Sequence, residues 1–369
     1  MRPVFLLPLL AALALVSCAR SAVAPGPTAT PAPDPTPTPS PTPTFLEPDQ
    51  LPPLTLSDVF SPPDLSALRL DPSRLRTLIV TGDVIPARHT DVVIRSRGDD
   101  FLYPVAATQE ITAAADLTVI NLEAPLVEGC PYHDSGFKLC GRPGFAAALQ
   151  TAGVDLATLE NNHIGNYGLE GIYETEDHLT AAGIDHADRI TPVVKDVRGL
   201  KFGFLAFNGV GETFNRAKVT AQIKALRPQV DVLAVAFHWG AEYVSLPQTA
   251  PGVADDDPVE IAHLAVDAGA DLIIGNHPHW VQALELYQGK FIAYAHGNFI
   301  FDQMWSYETR VGVIGRYTFY DDVLVKVEFV PTLIEEFAQP VPMRGAEAQA
   351  VLDGMRTASE QLAQAVAAP

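Results

Sequence analysis

The chain has 369 residues, 47% of them apolar, enough for one large domain or two ordinary ones with a sizeable core. Its formal net charge of −20 argues against a broad grip on DNA, RNA or any other long polyanion, all of which reward basic surfaces. An anionic ligand would have to be met locally, by metal ions or a few arginines.

Residues 1–18 read MRPVFLLPLLAALALVSC, with Arg2 ahead of an apolar run from Val4 to Val16. This is the layout of an export signal, and the run is too short for a comfortable membrane span. Leu15-Val16-Ser17-Cys18 has the form of a bacterial lipobox. It predicts lipidation of Cys18 and a membrane-anchored lipoprotein on the extracytoplasmic face. The competing reading is ordinary cleavage after Ala22-Val23-Ala24; both take the chain out of the cytoplasm. Residues 19–63 are dominated by proline and threonine. Such a segment cannot bury a core and favours extended polyproline II, so it is expected to be a disordered tether.

The folded domain is expected over residues 64–340. There, short apolar runs close repeatedly on polar residues or glycine: TLIV before Gly82-Asp83, LTVI before Asn121-Leu122-Glu123, and LATL before Asn161-Asn162-His163. FGFLAF then leads to Asn208, VLAVAF to His238, LIIG to His277, and FIAYA to His296-Gly297-Asn298. Runs this apolar predict strands buried on both faces. FAAALQTAG, GLEGIYETEDHLTAAG and DPVEIAHLAVDAGA lie between several of them and read as helices closed by glycine, which predicts βαβ units and an α/β fold. VGVIGRYTFY and DVLVKVEFV predict an antiparallel pair joined around Asp321-Asp322, and residues 341–369 a terminal helix. Glycines near the strand ends (Gly82, Gly240, Gly275, Gly297) are read as permitting tight turns. No Gly-rich phosphate loop occurs, so no nucleotide cofactor is indicated.

In open α/β folds ligands gather at the carboxyl ends of the strands. Here those ends deliver Asp83, Glu123, Asn162, His163, His238, His277 and His279. A lone histidine in such a place is usually a loop or core residue, but successive strands ending this way point to a site. Carboxylate, amide oxygen and imidazole together suit manganese, iron or zinc. Arg88 either meets an anionic substrate or makes a surface salt bridge. Trp239, Glu242 and Tyr243 line the cleft or pack its floor. Asn161, Asn298 and Asp302 are expected to hold loops around the ligands. Arg142 and His133 flank or occupy the loop between Cys130 and Cys140, where they could face the site. Those two cysteines are expected to form a disulfide, since export supplies an oxidising compartment and the third cysteine is taken by the anchor.

TGDVIPAR, INLEAPL, ENNHIGNYG, FHWGAEY, IIGNHPHWV and HGNFIFDQ occur in an order that resembles the motif series of the CapA poly-γ-glutamate capsule proteins. That family belongs to the calcineurin-like metallophosphoesterases, so the resemblance implies sheets sandwiched between helices and a site for one or two divalent metal ions. It implies Asp83 and His279 at a first ion, Asn162, His238 and His277 at a second, and Glu123 bridging them. His163 would be the acid that protonates a leaving group. Enzymes of this superfamily usually carry a histidine two residues after the first aspartate; position 85 here is isoleucine. The expectation is a phosphoesterase-like hydrolase acting on a cell-envelope polymer or its precursor, possessing no nucleic-acid role and working within a capsule-synthesis complex. The alternative is a non-catalytic metal-binding component of polymer export or assembly.

Overall fold

Each apolar run forms a strand in the computed structural model, which describes Gly26, residues 45–188 and residues 190–367. The chain divides into two units, 1–43 and 44–369, and the fold below is that of the second. The export signal and the Cys18 lipobox lie outside the described residues. The strands are β1 (Leu75–Val84), β2 (Leu117–Leu122), β3 (Leu156–Thr158), β4 (Asp185–Ala187), β5 (Val193–Val197), β6 (Leu200–Asn208) and β7 (Val232–His238). They continue with β8 (Leu272–Asn276), β9 (Leu284–Tyr287), β10 (Lys290–Ala293), β11 (Asn298–Ile300), β12 (Val311–Tyr320), β13 (Val323–Glu335) and β14 (Gln339–Pro342). The helices are α1 (Leu56–Phe60), α2 (His89–Ser96), α3 (Tyr103–Ala106), α4 (Gln109–Thr112), α5 (Gly144–Thr151), α6 (Gly168–Ala181), α7 (Arg216–Leu226), α8 (Pro258–Ala268) and α9 (Gly345–Ala367). Among the described residues, no helix is long and apolar enough to cross a membrane.

Helix α8 shows how local chemistry sets these boundaries. Asp257 accepts a hydrogen bond from the Val259 N–H at 2.8 Å, Pro258 occupies the first turn where its missing N–H costs nothing, and Gly269 leaves the helix at φ +121°.

Two mixed sheets result. One runs β14-β13-β12-β1-β2-β3-β4, with β11 also on β1; the other runs β5-β6-β7-β8-β10-β9. Strands β1 to β4 are parallel, as are β6, β7, β8 and β10. The antiparallel pair β12–β13 turns at Asp321-Asp322, with Tyr320 opposite Val323.

Alternation along the strands explains the layering. Leu78 and Val80 of β1 join Phe202, Phe204, Val232, Ala234, Leu272 and Phe291 in a core between the two sheets. The intervening Ile79 faces outward, onto Phe145 and Leu149 of α5 and Leu179 of α6. In the second sheet, Leu233, Val235 and Phe237 pack on Val219 and Ile223 of α7 and Ile261 and Ala265 of α8, with Leu362 of α9 in the same cluster. The sheets therefore lie back to back between helices, the layering implied by the resemblance to metallophosphoesterases.

Two expectations change. Residues from 45 to 63, assigned to the tether on composition, carry structure. Thr55 caps α1, Val59 is buried, and Leu54, Leu56 and Phe60 pack against the inter-sheet core. The Tyr320 hydroxyl donates to the Leu46 carbonyl at 2.9 Å. Proline remains frequent there, but the interspersed leucine, valine and phenylalanine have a core to cover. Gly82 and Gly275, read as turn formers, lie within strands instead. A Cβ would sit 1.9 Å from the Gly297 carbonyl oxygen at Gly82 and 1.9 Å from that of Tyr294 at Gly275. Close backbone approach excludes any side chain there.

Candidate metal centre

The parallel strands of both sheets end on one edge, and there the polar residues meet. Asp83, in β1, is fully buried; the side-chain amide of Asn121 in β2 donates to its Oδ1 at 2.8 Å. Glu123, one residue past β2, is 0% exposed, and its N–H donates to the Val84 carbonyl. His238 closes β7; its Nε2 lies 3.0 Å from Asn162 Oδ1 and 3.3 Å from Glu123 Oε1. His277 and His279 follow β8 in a loop at φ +96° and +55°, a region that costs a non-glycine residue about 1–3 kcal/mol. His279 Nδ1 lies 2.9 Å from Asn298 Oδ1 and 3.2 Å from Asp83 Oδ2. The hydrogen bond goes to Asn298, whose amide nitrogen donates to the Thr309 carbonyl at 2.9 Å; the approach to Asp83 is a charge contact. Asn298 thus fixes the His279 ring and leaves Nε2 for a ligand.

Asp83 Oδ2, both oxygens of Glu123 and both ring nitrogens of His277 are buried with no hydrogen-bond partner among the described residues. Buried polar atoms are rarely left so. Their donor chemistry, two carboxylates with imidazoles, suits a divalent cation. Ligand atoms of Asp83, Glu123 and His238 lie within 4.8 Å of one another, as do those of Glu123, His277 and His279. Glu123 belongs to both triads, which is what a bridging carboxylate requires. The other members sort differently from the partition implied by the resemblance, since Asp83 groups with His238 and His277 with His279.

Burial drives Glu123 well above the usual carboxylate range, and the adjacent Asp83 charge adds to the shift. Burial also opposes ionisation of Asp83, but contact with His279 and the charges of His279 and His238 hold it below its ordinary value. Burial pushes His238 down to about 3 and His277 well below the usual imidazole range. On His279 the same desolvation is outweighed by pairing with Asp83 and the charges of Glu123 and Asp83, which carry it up to about 9.

The remaining predicted residues surround this cluster. His163 is lowered by burial, partly offset by a 3.1 Å contact from its Nδ1 to Asn166 Oδ1. Asn161 accepts from the N–H groups of His163 (3.2 Å) and Ile164 (2.8 Å) and donates to the Leu122 carbonyl, so it shapes the loop that carries Asn162. Arg88 is held by Asp302 and lies over the Phe301 ring, with a further bond to the Gly136 carbonyl. Its salt bridge is largely buried rather than on the surface, and Asp302 also receives the His89 N–H at 3.0 Å. Glu242 is exposed at the rim, 3.9 Å from His277 Nε2. Half-buried Tyr243 stacks on His279 at 6.1 Å and meets exposed Trp305 edge-on at 4.8 Å. Trp239 packs the floor, stacked on Phe237 and bonded to the Tyr294 carbonyl.

Arg142 does not face the cluster: it pairs with Asp91 and Asp99 at 2.7 Å each. His133 turns its Nδ1 to the Pro131 carbonyl. Cys130 and Cys140 are joined by a disulfide with Cα atoms 6.0 Å apart. Sequence reasoning missed Asn121 and Asn166. The signal for Asn121 was an amide within the largely apolar LTVINL strand, where a buried polar group needs partners.

The family described as bacterial capsule synthesis protein PGA_cap matches residues 77–303. The chain is 26% identical to capsule biosynthesis protein CapA of Bacillus anthracis over 298 residues, covering 73% of this chain and 70% of that one. It is 27% identical to PGA biosynthesis protein CapA of Bacillus subtilis over 286 residues, covering 71% and 72%. A solved structure of a hypothetical protein from Thermus thermophilus aligns at a TM-score of 0.47 and 13% identity, covering 70% of this chain and all of that one.

Proposed function

Taking as premise that the chain belongs to the bacterial capsule synthesis family PGA_cap, we propose that it is a metal-dependent hydrolase of phosphoester-type bonds in the synthesis of a capsule or poly-γ-glutamate-type envelope polymer. It works at the extracytoplasmic face, anchored through Cys18 and placed to join a capsule-synthesis complex. The observation that carries this reading is the set of buried ligand atoms on Asp83, Glu123 and His277 with no hydrogen-bond partner among the described residues, beside His238 and His279.

Asp83, Glu123, Asn162, His238, His277 and His279 would hold the metal. A divalent ion there supplies the charge that polarises a phosphoryl oxygen. Asn121 and Asn298 keep Asp83 and His279 turned toward the cluster. His163 moves the proton. Burial favours its neutral ring, and an anionic substrate beside it would counter that burial and let it carry a proton to a departing alkoxide. Glu242 and Tyr243 stand at the rim where the rest of a substrate would lie, and Arg88, once Asp302 is accounted for, has less charge to offer it.

One observation favours the non-catalytic reading. Ile85 stands where related phosphoesterases carry a ligand, and it packs in an apolar cluster with Ala87, Ala124, Leu139 and Phe301. The test is hydrolysis of a bis-aryl phosphodiester with Mn²⁺. His163→Ala should keep metal and fold yet lose activity by about 10²–10⁴-fold, whereas His238→Ala should lose both metal and activity. A fully metallated wild type that hydrolyses neither monoester nor diester moves the reading to metal-dependent binding. For the anchor, labelled palmitate should enter the wild type and not Cys18→Ser.

A further inference from the structure

Asn166 lies four residues past Asn162, in the turn of ENNHIGNYG, and its side-chain oxygen makes two contacts. It accepts the backbone N–H of Leu139 at 2.6 Å and stands 3.1 Å from His163 Nδ1. The first contact settles the second. A backbone N–H can only donate, so the amide atom facing it is the oxygen, which carries no hydrogen. The nitrogen of His163 that meets the same oxygen must then bear the proton. From this geometry we infer that Asn166 is a positioning residue, holding neutral His163 in its Nδ1–H tautomer and leaving Nε2 as the nitrogen for proton transfer.

The surroundings hold Asn166 on its far side. Leu139 is buried against Ile85, Ala87, Ala124 and Phe301, and the next residue, Cys140, is tied to Cys130. Beyond it, the Gly141 N–H donates to the Pro125 carbonyl at 2.9 Å, and the Gly141 carbonyl accepts from Val127 at 3.1 Å. The loop closed by the disulfide is therefore fastened to the stretch that follows Glu123. The backbone of His163 is fixed separately, its N–H by Asn161 Oδ1 and its carbonyl by the Asn166 N–H at 3.0 Å. Asn166 thus holds the ring through its side chain and the carbonyl through its N–H, while Asn161 holds the N–H, as a group that must present one nitrogen requires. His163 adjoins the metal cluster through the preceding residue, Asn162, whose Oδ1 lies 3.0 Å from His238 Nε2.

The role in proton transfer rests on the hydrolase reading; the tautomer does not, and one experiment separates them. Nitrogen-15 histidine spectra of the folded domain at about pH 8, with His163 assigned through His163→Gln, should show its neutral ring protonated on Nδ1. Asn166→Asp keeps an acceptor and should keep that signature. Asn166→Leu should move the proton to Nε2, with metal content unchanged. Where the wild type hydrolyses the diester, Asn166→Leu should lower kcat by about 10–100-fold with KM little altered, as loss of a supporting partner does, and Asn166→Asp should restore most of it. A wild-type ring protonated on Nε2, or an Asn166→Leu ring still protonated on Nδ1, overturns the assignment. A wild type with the Nδ1–H signature and no hydrolysis overturns the hydrolase reading and leaves the positioning intact.

Discussion

At the centre of the cleft the groups that would hold a metal also hold protons. His279, carried up to about 9, is protonated at pH 7, and burial with the Asp83 charge keeps Glu123 above the usual carboxylate range. Metal ligands bind deprotonated, so an ion entering here must displace a proton. Apparent affinity should therefore be highest above about pH 9 and fall as pH drops, by about tenfold per unit for each proton displaced. Titration of the metal-free domain with Mn²⁺ at about pH 7 should therefore release at least one proton. Calorimetry in buffers of different ionisation enthalpy would read it as a buffer-dependent heat. Equal heats, with affinity flat between about pH 6 and pH 9, would show that the His279–Asp83 pair stays protonated and outside the coordination. The same residues mark what could be read from the sequence alone. Asp83, Glu123, His238, His277 and His279 lie at or just past strand ends, and a strand end is visible as a change from apolar to polar. Asn166 and Asn121 are not visible that way, because their partners come from Leu139, Asp83 and His238, distant in sequence.

Among the elements, the buried central strands and the β12–β13 pair were legible, since short β-branched runs bounded by glycine or polar residues suit a strand. The short strands β4, β5, β9, β11 and β14 carried no such run. Helix α8 was as legible, its Asp-Pro start and Gly end being local chemistry. The segment before residue 64 was misread because composition reports what a stretch cannot do alone, and not what a neighbouring core offers it. Helix α1 is short and would not persist in isolation. It holds because Val59 is buried and Leu54, Leu56 and Phe60 cover the inter-sheet core near β13. Removing it would expose those contacts. A fragment beginning at residue 64 should therefore be less stable than one beginning at residue 45, by about 3–6 kcal/mol if two such apolar side chains lose full burial. Urea unfolding of the two fragments measures this directly. Equal midpoints would return the segment to the tether. The disulfide acts differently, through the unfolded chain: a loop of its size is worth about 2.5–3 kcal/mol in the chain-entropy account.

Taken whole, the molecule places its acidic surplus away from any polyanion-binding role and gathers histidines and two buried carboxylates at one edge of two parallel-stranded arrays. That convergence has a defect at Ile85, which is completely buried and packed on Ala87, Ala124, Leu139 and Phe301. No small rearrangement would bring a polar group there, since an apolar cluster has filled the position and a buried unpaired donor would be costly. The ligands are consequently uneven. By the partition that the resemblance implies, Asn162, His238 and His277 with Glu123 make the fuller set and leave Asp83 and His279 with the same Glu123 for a second ion, although the ligand atoms themselves group Asp83 with His238 and His277 with His279. Since Asp83 and His279 also neutralise each other, a second ion would have to break that charge contact to enter. One ion should then be held tightly and the second weakly or not at all. Elemental analysis after dialysis against a mild chelator would find about one equivalent per chain, and Ile85→His would raise the count toward two if a ligand is what the second position lacks. Two equivalents retained by the unaltered protein would mean that Asp83 and His279 suffice, and the uneven centre would have to be abandoned.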